Sequence, residues 1–185
     1  MKVAVLFKEG FETIEALTVV DVFTRAKMPC TMVGMDSLEV TSSHGIVVKM
    51  NTLFDEIDKD LDMVVLPGGL PGSTNLQADK RVIDLLKDMN EKGKWIGAIC
   101  AGPISLETAG VVEGKNYTCF PGFNEQIPSG NYTNSLVEVD GNIVTGRGPA
   151  ATLQFAFTLL DCIGGNSQPV QDGLQYTYLK ELLKG

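Results

Sequence analysis

Short apolar runs alternate along this chain with longer segments whose apolar residues recur every three or four positions. The runs at 2–7, 31–34, 63–66 and 95–99 read as buried strands, whereas 12–27 and 79–92 carry helical periodicity. Such alternation predicts an α/β domain spanning 1–185, with a mostly parallel sheet covered by helices on both faces. Residues 136–139 and 143–145, separated by Asp140-Gly141-Asn142, read as a hairpin hanging on one edge of that sheet. A helix is predicted over 150–163 and a short final one over 176–183. Stretches rich in Gly, Pro, Asn and Ser at 70–75, 121–131 and 164–173 read as loops.

Open parallel sheets bind ligands outside the carboxyl ends of their strands. Three such ends carry unusual chemistry here, at 7–15, 66–70 and 99–103. In Trp95-Ile-Gly-Ala-Ile-Cys-Ala-Gly-Pro103 an apolar strand stops at a cysteine followed by small turn residues and a helix, the pattern of a nucleophile elbow. Unpaired N–H groups at the helix start favour a thiolate at Cys100. A cysteine can also serve as a small hydrophobe closing a strand, but Ala101-Gly102 leaves room for a ligand that a core plug would not need.

Leu66-Pro67-Gly68-Gly69 follows a second strand and can bring bare backbone N–H groups near a ligand oxygen. Gly69, with Gly68 beside it, pairs with the N–H of Ala101 as a candidate oxyanion hole. Glu15 shares a helical line with Phe11, Val19, Val22 and Ala26, which aims its carboxyl group along an apolar face. Desolvation there raises its proton affinity and suits it to hand a proton to or from the thiol.

Composition narrows the field: 44% hydrophobic residues supply a core for one domain, and a net charge of -8 argues against nucleic acid or an anionic membrane surface. Cys30, Cys100, Cys119 and Cys162 show no Cys-x-x-Cys spacing, and with one histidine they predict reduced thiols and no metal site. No signal peptide or membrane span is legible, so a cytoplasmic protein is expected. His44 lies in the polar turn Ser42-Ser43-His44-Gly45, far from Cys100 in sequence. Arg147 precedes Gly148-Pro149 and suits a structural ion pair better than an anion site.

The segments Lys8-Glu-Gly-Phe-Glu-Thr-Ile-Glu15, Val64-Val-Leu-Pro-Gly-Gly69, Ala98-Ile-Cys-Ala-Gly-Pro103 and Gly146-Arg-Gly-Pro149 together resemble the ThiJ/PfpI superfamily. Within it they are most similar to the branch of the parkinsonism-associated deglycase and its small bacterial relatives. The resemblance implies a flavodoxin-like three-layer sandwich of the class I glutamine amidotransferase kind, usually a homodimer, working without a cofactor. It further implies Cys100 as an oxidisable nucleophile, Glu15 as its protonated partner, Gly69 and Ala101 as backbone donors, and His44 as a basic residue approaching the neighbouring subunit's site. One departure stands out, because Phe120 occupies the position before Pro121 where the branch commonly carries a histidine. Without it a triad-type protease or amidotransferase lacks its proton donor to a leaving amine. Two functions follow from the resemblance. One is a cysteine-dependent, glutathione-independent glyoxalase or deglycase acting on small 2-oxoaldehydes such as methylglyoxal; the other is an oxidative-stress sensor or chaperone-like protein that uses the oxidisable cysteine without turnover.

Overall fold

Alternate residues of the first strand, β1 (Val3–Phe7), face two different cores. Val3, Val5 and Phe7 pack with Val19, Val22 and Phe155, while Ala4 and Leu6 pack with Leu76, Leu86 and Ile104. This period of two is what a sheet sandwiched between helical layers demands. A computed structural model describes residues 1–183. After β1 come α1 (Thr13–Arg25), β2 (Cys30–Gly34), β3 (Glu39–Thr41), β4 (Val47–Lys49), β5 (Thr52–Leu53) and β6 (Met63–Leu66). Then follow α2 (Gly72–Ala78), α3 (Lys80–Glu91), β7 (Trp95–Ile99), α4 (Ile104–Ala109), β8 (Asn116–Tyr117) and β9 (Asn131–Tyr132). The chain continues through β10 (Val137–Asp140), β11 (Ile143–Gly146), α5 (Thr152–Cys162), α6 (Gln168–Gly173) and α7 (Tyr176–Leu182).

The main sheet runs β10-β11-β7-β6-β1-β2-β5. Every pairing in it is parallel except β10 with β11, so the predicted hairpin does hang on one edge. Helices α1 and α5 cover one face, and α2, α3 and α4 the other. The result is the expected flavodoxin-like three-layer sandwich. From β1 the chain steps to β2 on one side and then to β6 on the other, so strand order reverses beside β1. The carboxyl ends of β1, β6 and β7 therefore lie side by side at the switch point where such folds bind ligands. Among the described residues no helix is long and apolar enough to cross a membrane.

Two segments predicted as loops contain α-helices, and the third, 121–131, holds a short 3-10 turn at Phe123–Gln126 and runs into β9. Residues 70–75 run into α2, whose start is set by Pro71: the Asn75 N–H donates to the Pro71 carbonyl at 2.9 Å and the Ser73 N–H to that of Gly69 at 2.8 Å. Likewise 164–173 contains α6, with Pro169 in its first turn, where the missing N–H costs nothing. Asp161 secures its entry by accepting from the Ser167 N–H at 2.8 Å and the Ser167 hydroxyl at 2.7 Å. Helix α5 begins at Thr152 because 149–151 form a tighter 3-10 turn. The small β3–β4 hairpin, with three residues per strand, was too short for its alternation to be visible.

Candidate active site

Cys100 is the first residue beyond β7, and its backbone is pinned from three directions. Its N–H donates to the Gly146 carbonyl at 2.9 Å, its carbonyl accepts from the Phe120 N–H at 3.0 Å, and the Gly102 N–H turns back to Ile99 at 2.9 Å. These bonds hold Cys100 at φ +63°, a left-handed conformation that costs a non-glycine residue about 1–3 kcal/mol. That strain turns the side chain out of the sheet and leaves the sulfur half-buried, which is the elbow geometry predicted from sequence.

Glu15 reaches the same point from the first turn of α1. Glu12 caps that helix, accepting from the Glu15 N–H at 2.7 Å, and the Glu15 side chain is fully buried. Its Oε2 accepts from the Gly68 N–H at 2.7 Å, while Oε1 is buried without a hydrogen-bond partner. The Glu12 N–H in turn donates to the Gly68 carbonyl at 2.9 Å, lacing the loop after β1 to the turn after β6. A side chain at Gly68 would collide with Glu15 Oε2 and lie 2.6 Å from Cys100 Cβ and 3.0 Å from its Sγ. The carboxyl and the thiol thus converge on space that only glycine leaves open. Gly69 takes φ +89°, and the place of its Cβ is filled by backbone of Phe11 and Glu12. Gly68 does not offer its N–H to a ligand oxygen, since Glu15 occupies it. The N–H groups of Gly69 and Ala101 instead face the sulfur.

Burial raises the Glu15 carboxyl from its ordinary 4.5 to about 7, against the opposing pull of the neighbouring Cys100 thiol and the Gly68 N–H. The acidic thiol expected from the sequence is not what the structure builds. Desolvation comes first in pushing the Cys100 thiol upward and the Glu15 carboxylate pushes the same way, while the Ala101 and Gly69 N–H groups pull it down. The reason is geometric: α4 starts only at Ile104 and has six residues, so its dipole end is short and displaced from the sulfur. Burial also lifts Cys30 to about 12 and Cys119 to about 11. Acidity does not single out Cys100. Its strained corner and its carboxyl partner do, and together they make a pair that trades one proton: an ionised Glu15 can accept the thiol proton as sulfur attacks.

The remaining sequence candidates lie around this centre. His44 is exposed in the β3–β4 turn, whose neighbour Ser43 donates its N–H to the Phe11 carbonyl at 2.9 Å, so the hairpin flanks the Glu15 loop without bringing the imidazole into the pair. Arg147 forms no ion pair among the described residues. Its guanidinium donates to the Tyr132 hydroxyl at 3.2 Å and Asn134 Oδ1 at 3.1 Å, a structural role played through neutral acceptors. Phe120, whose N–H donates to the Cys100 carbonyl, lines a cavity of about 270 Å³ that sequence reasoning missed, because its walls come from separate segments. No group of three His, Cys, Asp or Glu among the described residues is placed to hold a metal ion.

Comparison with known proteins bears on this geometry. The model of the DJ-1/PfpI family matches residues 1–162. Over 167 residues the chain is 34% identical to the Parkinson disease protein 7 homolog of Danio rerio, covering 87% of this chain and 88% of that protein. It is 30% identical over 152 residues to the deglycase TK1284 of Thermococcus kodakarensis, covering 80% and 91% respectively. With protein DJ-1 homolog B of Arabidopsis thaliana it shares 34% over 173 residues, but spans only 40% of that longer protein. The crystal structure of Drosophila melanogaster DJ-1beta superimposes with a TM-score of 0.90 at 33% identity, over 94% of this chain and 96% of that one.

Proposed function

The chain belongs to the DJ-1/PfpI family, and from that premise we propose that it converts small 2-oxoaldehydes to 2-hydroxy acids through Cys100. The observation that carries this reading is the convergence of the strained Cys100 and the buried Glu15 on the space beside Gly68. The thiol sulfur bonds to the aldehyde carbon while its proton passes to the Glu15 carboxylate, and the N–H groups of Gly69 and Ala101 stabilise the alkoxide. The alkoxide takes that proton back from Glu15, giving the hemithioacetal and restoring the carboxylate. Glu15 then removes the proton from the former aldehyde carbon and returns one to the neighbouring carbon, leaving a thioester of the 2-hydroxy acid. Water cleaves that ester and regenerates the thiol. The Thermococcus relative is named a deglycase, which supports an enzymatic role for the chain. Lactate formed from methylglyoxal, assayed for wild type and Cys100→Ala without added glutathione, tests the reading. Catalytic lactate from wild type alone is the expected result, and equal rates in the two would end it.

A second reading, a redox sensor, is favoured by one feature: the half-exposed sulfur faces two N–H groups able to hold the oxygens of an oxidised thiol. Thiol consumption at one equivalent per chain, with no product accumulating, would select it.

We also propose that the protein is a homodimer. Ile14 on α1 and Ile46 and Val47 on the hairpin are 55%, 49% and 60% exposed, and His44 lies in the same turn. Light scattering at micromolar concentration is predicted to give twice the 19.9 kDa chain mass. A monomer would contradict it and free His44 from any role at a neighbouring site.

A further inference from the structure

The proton-transfer chemistry leaves one feature unused: the cavity of about 270 Å³ walled by Phe120, Pro121, Leu136, Gly148, Pro149 and Ala151, none of them part of the thiol–carboxyl pair. Both of its sides are hydrogen-bonded, directly or through the adjoining residue, to the backbone of Cys100. The Phe120 N–H donates to the Cys100 carbonyl, and the Cys100 N–H donates to Gly146, immediately before the Arg147–Ala151 wall. The Phe120 ring lies over Gly148, where a Cβ would approach its Cδ2 to 3.2 Å, so the glycine lets the ring settle against the wall. The ring nevertheless remains 45% exposed, an aromatic surface that a bound apolar group would remove from water.

Size and charge define what fits. An apolar cavity of about 150 Å³ accepts benzene, so this one has room for an aryl group. Among the described residues Arg147 is the only charged one along it, and no carboxylate lines it. A cationic substituent, such as the lysine or arginine of a glycated protein, would lose water there and meet like charge.

We propose that this cavity is the specificity pocket of the enzyme, with Phe120 its determinant, and that it selects 2-oxoaldehydes bearing an aryl substituent over methylglyoxal. The proposal rests on the reading of Cys100 as an aldehyde-attacking nucleophile. Its test is the ratio of kcat/KM for phenylglyoxal to that for methylglyoxal in wild type, Phe120→Ser and Phe120→Tyr. Wild type is expected to favour phenylglyoxal by at least about tenfold, the discrimination an apolar pocket can supply. Phe120→Ser should bring the ratio near one, and Phe120→Tyr should retain it. A wild-type ratio near one, or one that Phe120→Ser leaves unchanged, overturns the pocket.

Failure of turnover with both aldehydes would sink the catalytic reading alone. The pocket is then read by protection of Cys100 from iodoacetamide, with acetophenone and acetone as unreactive probes. Acetophenone should protect wild type at concentrations about tenfold lower than acetone and lose that advantage in Phe120→Ser. Equal protection by the two ketones in wild type contradicts the pocket whatever the enzyme turns over.

Discussion

Glu15→Gln is expected to lose most turnover while gaining stability in alkaline solution. The carboxyl titrates near 4.5 when exposed and at about 7 in the fold, where burial disfavours its charge. Between those values the folded protein binds more protons than the unfolded chain, so stability falls as pH rises through the window. The loss amounts to about 3 kcal/mol by the time Glu15 is ionised. Glutamine keeps the shape and can still accept from the Gly68 N–H, but it never ionises. Urea melts at pH 5 and pH 8 should therefore show wild type losing about 2.5 kcal/mol more than the variant between the two conditions. Parallel losses would mean that Glu15 is not the buried acid described here. Turnover should fall by about 10²–10⁴, the usual contribution of a positioned proton acceptor.

Gly68→Ala is predicted to disable the site by crowding alone. The added methyl meets Glu15 Oε2 and the Cys100 side chain, so the turn or one of the two reacting groups must shift. Forced packing of this kind costs about 1–3 kcal/mol, and displacing nucleophile from base by even an ångström costs about 10²-fold in rate. Gly173→Ala is the control, because nothing lies within 4 Å of its Cβ position. If Gly68→Ala melts and turns over like Gly173→Ala, the convergence of thiol and carboxyl at this glycine is wrong.

Much of this architecture is legible in the chain because strands such as Met63–Leu66 are continuous β-branched or apolar runs. Glu15 is legible because its register with Val19 and Val22 forces it into the core beneath the sheet's carboxyl edge. The helices opened by Pro71 and Pro169 are hidden, since the same residue that starts a helix also marks a loop. The proton affinity of Cys100 is hidden for a different reason. A short helix dipole competes there with desolvation and a carboxylate, and the balance depends on distances that no spacing encodes. The pocket escapes sequence reading because Phe120, Leu136 and Pro149 meet only after the β10–β11 hairpin docks beside β7.

The central claim is that substrate becomes covalently attached to Cys100 on the way to product. Acid quenching during methylglyoxal turnover, followed by peptide mass spectrometry, tests it most directly. The Cys100 peptide should carry one methylglyoxal-derived group in wild type, at a steady level while substrate lasts and lost once it is exhausted, with Cys30, Cys119 and Cys162 unmodified. Lactate appearing while Cys100 stays free, or the group riding on another cysteine, would contradict the account.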